Sequence, residues 1–266
     1  MDTIKTYQKI VIKIGSSSLT HDSGLIDLWK MEQLVKQIAN LYNSGRDIII
    51  VSSGAIAAGM GKLKFANRPL EISEKQAAAA IGQSVLMHMY DKFFSEFGLT
   101  VAQILLTKDD MASDKRRSHC IHALDRLIEH RIIPIVNEND VVAVDEIKVG
   151  DNDTLSAEVC VMADFDLLVI LSDIDGVYTK DPNRHPDARL IPSIGSLQAL
   201  NEITASDTSS TVGTGGMITK FNAAKILHTF NKDMLIVNAS TKNILNQCFD
   251  GVATGTVFKF SSHKEG

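Results

Sequence analysis

The stretch GTGGMITKFN, residues 213 to 222, sets three glycines and a lysine at the start of a helical pattern. Glycine lets a backbone approach a ligand closely, and the free N–H groups of a helix start attract anions. A phosphate suits such a stretch, but this is not a Walker A loop, in which Gly, Lys and Ser/Thr stand in direct succession. Here Thr219 precedes Lys220 and Phe221 follows it, and a tight turn that uses glycine for packing alone would read the same way. SSGAIAAGMG, residues 52 to 61, repeats the logic: Ser52, Ser53 and Gly54 precede a run of good helix formers. That is either an anion site at a helix start or an ordinary serine cap.

Lys13 is the odder residue, because it interrupts the apolar run IVIKIG near its end. Lysine is rarely buried unless paired, so either this run lies at a sheet edge with Lys13 in water or the ammonium meets a negative group. GDNDTLSAE places Asp151, Asn152 and Asp153 at another helix start. One cap needs fewer such groups, so this is a capping cluster or a set that also orients lysines or a magnesium ion. His119 and His122 stand three apart on a helical pattern without an evident third ligand, so no metal site is expected there. No Gly-x-Ser-x-Gly elbow is present and no Gly-x-Gly-x-x-Gly follows the first apolar run, which argues against an esterase and a dinucleotide enzyme.

These groups need elements to hold them. KIVIKI (9–14), DIIIVS (47–52), VAQILL (101–106), IIPIV (132–136), LLVILS (167–172) and MLIVNA (234–239) are short, continuous and rich in Ile and Val. Such runs suit parallel strands covered on both faces. Between the first two, Leu28, Met31, Leu34, Val35, Ile38, Leu41 and Tyr42 recur at helical spacing, with Gly45 as a stop. Helical patterns also run over 73–97, 114–130 and 217–230, and the turn-rich 172–194 suggests hairpins. Strand and helix alternate, so the expected class is α/β with a largely parallel central sheet, in one domain over residues 1–266. The loops 13–20, 52–61, 137–142 and 172–176 follow strand ends and should converge at the carboxyl edge, where such sheets carry their sites.

The 266 residues are 44% hydrophobic and 22% charged, enough for a sizeable core. A formal charge of −5 gives no support for nucleic-acid or membrane-surface binding, so an anionic ligand must be held by a few local cations. No apolar run approaches the ~18 residues of a membrane span, and the start MDTIKTYQ lacks the apolar segment of a secretory signal. Cys120, Cys160 and Cys248 form no C-x-x-C pair and suit a reduced, cytoplasmic protein.

VIKIGSSSLT, VSSGAIAAG, VNENDVVAVDEIKVGDND, SDIDGVYTKDP and GTGGMITK resemble, in order and spacing, the amino acid kinase family, over about residues 7 to 260. SSGAIAAG and NENDVVAVDEIKVGDND are particular to the branch that phosphorylates the side-chain carboxylate of L-glutamate. The resemblance implies a three-layer α-β-α sandwich, MgATP as donor and L-glutamyl 5-phosphate as product, the first step of proline synthesis. It implies that the N-terminal side holds glutamate, with Ser53, Gly54, Asn137, Asp140, Asp151 and Asn152 as candidate contacts. The ATP contacts it implies are Lys13, Ser172, Asp173, Thr214, Gly215, Gly216, Met217, Ile218, Thr219 and Lys220. Lys13 and Lys220 match the paired phosphate-stabilising lysines, and Asp153 the aspartate that organises them; no protein ligand to Mg²⁺ is implied beyond ATP itself. A homo-oligomer, dimer or tetramer, and feedback inhibition by L-proline are also implied. Only SSHKEG follows the last expected strand, so the C-terminal PUA domain of many bacterial members is expected to be absent.

The chemistry fits these residues. A glutamate carboxylate, with a pKa of about 4.3, is already ionised near neutrality, so its reaction needs no general base. The loops offer no clear base with an orienting partner, which suits such an acceptor. Two anions must approach each other, so the need is for positive charge. Another acyl-phosphate-forming kinase, such as one acting on N-acetylglutamate, and a catalytically silent amino-acid sensor on the same fold are the alternatives.

Overall fold

A computed structural model of the chain describes all residues except 1, 22, 66–68, 144–151, 183, 207–214, 253 and 262–266. The apolar runs read from the sequence become strands: β1 (Lys9–Ile14), β2 (Asp47–Ser52), β3 (Val101–Leu106), β4 (Ile133–Glu138) and β5 (Leu167–Ser172). The chain divides into two compact units, one over Ile14–Asn152 and one made of Met1–Lys13 with Asp153–Gly266.

In the unit Ile14–Asn152 the strand order is β3–β4–β2, and both pairings are parallel. α1 (Leu28–Asn43) starts at Asp27, whose carboxylate accepts from the Lys30 N–H at 3.1 Å. Met31, Leu34, Val35, Ile38, Leu41 and Tyr42 form its buried stripe. Leu28 does not join them: it is the first helical residue and half exposed, next to the exposed Trp29. Gly45, at φ 100°, adopts the left-handed conformation that ends the helix. α4 (Lys108–Ala112) and α5 (Asp114–Glu129) follow β3, the first opened by a capping box between Thr107 and Asp110.

α2 (Ala55–Leu63) and α3 (Ile72–Ser95) meet backbone to backbone. A Cβ at Gly82 would stand 1.7 Å from the Ala55 carbonyl oxygen, and one at Gly59 1.8 Å from that of Ala78. Only glycine permits this approach. It seats the middle of α3 against the first turns of α2.

In the other unit the strands run β1–β5–β7–β8–β6, adding β6 (Ser193–Ile194), β7 (Asp233–Asn238) and β8 (Thr256–Phe258). β5 and β7 are parallel, but β8 lies antiparallel to β7, so the sheet is largely rather than wholly parallel. α6 (Asn152–Met162), α7 (Leu197–Ser206), α8 (Gly215–Thr229) and α9 (Ile244–Asp250) complete it. The expected hairpin appears between β5 and β6, where Tyr178 bridges Leu190 in antiparallel fashion. Asp233 is fully buried and accepts from the Tyr7 hydroxyl, the Phe260 and Ser261 N–H groups and the Ser261 hydroxyl, fastening both ends of this unit to β7. Among the described residues no helix is long and apolar enough to cross a membrane.

Candidate active site

Lys13 is the penultimate residue of β1 and only 9% exposed. Its ammonium lies 2.6 Å from Asp153 Oδ1, so the odd lysine of the first strand is buried and paired rather than turned to water. Asp153 stands in the first turn of α6, where the helix dipole favours a carboxylate. Its second oxygen lies 3.1 Å from Lys220 Nζ and 2.9 Å from the Thr219 hydroxyl. Lys220 sits in the second turn of α8, one turn further on than the sequence pattern suggests. Helical side chains lean back toward the N-terminus, and the Lys220 ammonium accordingly also donates to the Gly216 carbonyl at 3.2 Å.

Burial by itself would raise the Asp153 carboxyl, but Lys13 and then Lys220 outweigh it and hold the group below the usual carboxylate range. Two ammonium groups and one carboxylate leave an excess of one positive charge among these three buried groups. Unbalanced buried charge is costly, so the cluster is suited to a further anion. In the first turn of α8, a Cβ at Gly216 would meet nothing within 4 Å among the described residues. Gly215, Met217 and Ile218 belong to the same turn, and Ile218 is half exposed. Ser172 closes β5, the strand next to β1, with its hydroxyl 3.2 Å from the exposed Asp173 carboxylate. Thr214 and Asp151 lie outside the described residues.

A second cluster, of neutral groups, belongs to the unit Ile14–Asn152. Asn152 Nδ2 donates to the Ser52 carbonyl at 3.0 Å, the Ser53 hydroxyl at 3.0 Å and Asn137 Oδ1 at 2.9 Å. Asn137 is not a loop residue as expected. The ladder between β3 and β4 continues to Leu106 and Glu138, so it lies within β4. Its Nδ2 donates to Gln83 Oε1 at 2.9 Å, and the Ser52 hydroxyl lies 2.8 Å from that of the buried Tyr90. α2 begins after these residues with Gly54 as its cap, at φ 102°, and among the described residues no side chain caps its first turn. The serine-cap reading therefore fails, and the first N–H groups of α2 are left for other acceptors. Asp140 is half-buried in the turn after β4.

Asn152 and Asp153 are consecutive, so one helix start contributes to both clusters. Gln83 and Tyr90 escaped the sequence reading. Their signal is a polar or hydroxylated residue on the buried stripe of α3, in register with Ala79, Leu86 and Phe94. Within AAAAIGQS a lone glutamine on that face is the chemistry that composition conceals.

The profile of the amino acid kinase family matches residues 8–238, through both units. Glutamate 5-kinase of Clostridium tetani is 48% identical over 255 residues, covering 96% of each chain. Glutamate 5-kinase of Carboxydothermus hydrogenoformans is 49% identical over 258 residues, which cover 97% of this chain and 69% of that relative. Among solved structures, UMP kinase from Ureaplasma parvum superposes with a TM-score of 0.65 at 17% identity, covering 95% of this chain and 99% of that one. UMP kinase from Bacillus anthracis gives 0.63 at 15% identity, with 96% and 97% covered. At such identities the two structures speak for the fold alone.

Proposed function

Since the chain belongs to the amino acid kinase family and is nearly half identical to glutamate 5-kinases along its length, we propose that it phosphorylates the side-chain carboxylate of L-glutamate from ATP. This is the step that opens proline biosynthesis. A carboxylate oxygen attacks the γ-phosphorus, the bond from that phosphorus to the bridging oxygen of ADP breaks, and L-glutamyl 5-phosphate leaves with ADP.

The buried Lys13–Asp153–Lys220 cluster carries the reading. In phosphoryl transfer the protein chiefly positions the reactants and neutralises charge. One ammonium about 3 Å from an anionic oxygen contributes roughly 5 kcal/mol at an effective dielectric of about 20, before desolvation. Lys13 and Lys220 supply that charge on the transferring group, and Asp153 fixes where both ammonium groups point. The first turn of α8, with Thr214 before it and Ser172 and Asp173 at the end of β5, takes the nucleotide. Mg²⁺ enters with ATP as part of the substrate. Among the described residues no group of three or more His, Cys, Asp or Glu is set to hold a metal ion, and Asp153 is committed to its lysines.

On the acceptor side, Ser53, Gly54, Asn137, Asp140 and Asn152, with Asp151, hold L-glutamate. A cytoplasmic homo-oligomer inhibited by L-proline completes the proposal, as the same resemblance implies. The test is turnover by Lys13→Ala and Lys220→Ala. Each should lower kcat by on the order of 10² or more while the protein stays folded, as the loss of one preorganised donor does elsewhere. Near wild-type turnover in either variant would contradict the assignment.

A further inference from the structure

Gln83 is 91% buried, and its Nε2 has no hydrogen-bond partner among the described residues. That orientation is fixed by groups that cannot turn round. The Glu138 backbone N–H can only donate, and it donates to Asn137 Oδ1 at 2.8 Å. Asn137 must therefore present Nδ2 to Gln83, and Gln83 must answer with Oε1. The Ser52 carbonyl, which can only accept, fixes the Asn152 amide in the same way. What remains on Gln83 is an NH₂ group with two protons and no acceptor among the described residues. A buried donor left unpaired costs about 1–3 kcal/mol, so this arrangement is suited to a bound acceptor.

Two observations give that acceptor its charge. Ser52 and Ser53, just before α2, accept from the Asn152 amide, which also donates to Asn137, the partner of Gln83, so the Gln83 amide belongs to the network at the start of α2. There the first turn of α2 has no side-chain cap among the described residues and offers its own N–H groups. Neighbouring strand residues point to opposite faces, which turns the Glu138 carboxylate away from the Asn137 amide. The Gln83 amide and the start of α2 both offer N–H groups, and a carboxylate meets both.

Resting on the function proposed above, the geometry points to Gln83 as a substrate-binding residue whose Nε2 donates to a carboxylate of L-glutamate. Asn137 and Gly82 hold it in place. The test measures the KM for L-glutamate with saturating MgATP from pH 6 to 9 in wild type, Gln83→Met and Gln83→Glu. Gln83→Met removes the donor and should raise that KM by about 10-fold or more, with kcat within a few-fold, since hydrogen bonds to charged groups are of that strength. Gln83→Glu keeps the acceptor for Asn137 but loses the amide donor. Relative to wild type its KM should rise with pH, because an ionised carboxylate repels the substrate and a protonated one donates. A purely structural Gln83 predicts another pattern: Gln83→Glu within twofold of wild type at every pH, or losses in thermal stability and kcat without a change in KM. Either result overturns the proposal. Absence of turnover with L-glutamate in the wild type itself would instead remove the function on which it rests, and the proposal with it.

Discussion

At the scale of single residues, Lys13, Asp153 and Lys220 form a unit whose parts explain one another. Two buried lysines need a carboxylate, and a carboxylate that is only 2% exposed needs at least one lysine. Because the folded-state pKa of Asp153 is depressed, its contribution to stability is fully present above the ordinary carboxylate value of 3.8 and is lost as pH falls through the depressed one. Asp153→Asn should therefore be less stable than wild type near neutrality, by urea midpoint. That deficit should shrink as pH drops below about 4, whereas a deficit unchanged down to pH 2 would contradict the ion-pair account. Lys13 was legible beforehand because a lysine inside an apolar strand demands a partner. Which acid it meets was implied by the family resemblance and not by the residues themselves: Asp153 lies 140 residues away along the chain, and only the fold brings the two together.

At the scale of elements, the strands and long helices were readable because their patterns are long relative to the error at each end. β5 spans the expected residues, and β4 is displaced only because its ladder with β3 runs on through Asn137 to Glu138. β6 was missed, and β8 stands outside the six apolar runs, for the opposite reason: two and three residues carry no periodicity, and pairing rather than pattern makes them strands. The close approach of α2 and α3 was also hidden, since glycines within a helical pattern do not declare their packing partners. Gly82→Ala would drive a methyl into the Ala55 carbonyl, and backbone cannot step aside as a side chain does. A loss of about 1–3 kcal/mol or more is expected, read as a lower melting temperature. Gly61→Ala should be nearly neutral or stabilising, because its Cβ would meet Leu25 Cδ2 at 3.4 Å. Equal melting temperatures for the two variants would contradict the packing described.

At the scale of the whole molecule, the sequence carries −5 charges yet buries two lysines, so cationic chemistry is concentrated where the fold can orient it. On the function proposed, the neutral cluster around Asn152 would orient the acceptor through amides and the charged cluster around Asp153 would neutralise charge through ammonium groups. Motif order brought these residues forward as candidates, but hydrogen bonds that link Gln83, Asn137 and Asn152 across separate elements could be seen only in the folded chain. The measurement closest to the central claim is ADP release from the purified protein with MgATP, comparing L-glutamate, N-acetyl-L-glutamate and L-aspartate, with hydroxylamine present to trap an acyl phosphate. Turnover and hydroxamate with L-glutamate alone are the predicted result. Preference for N-acetyl-L-glutamate, or silence with all three from a folded protein that still binds ATP, would contradict it.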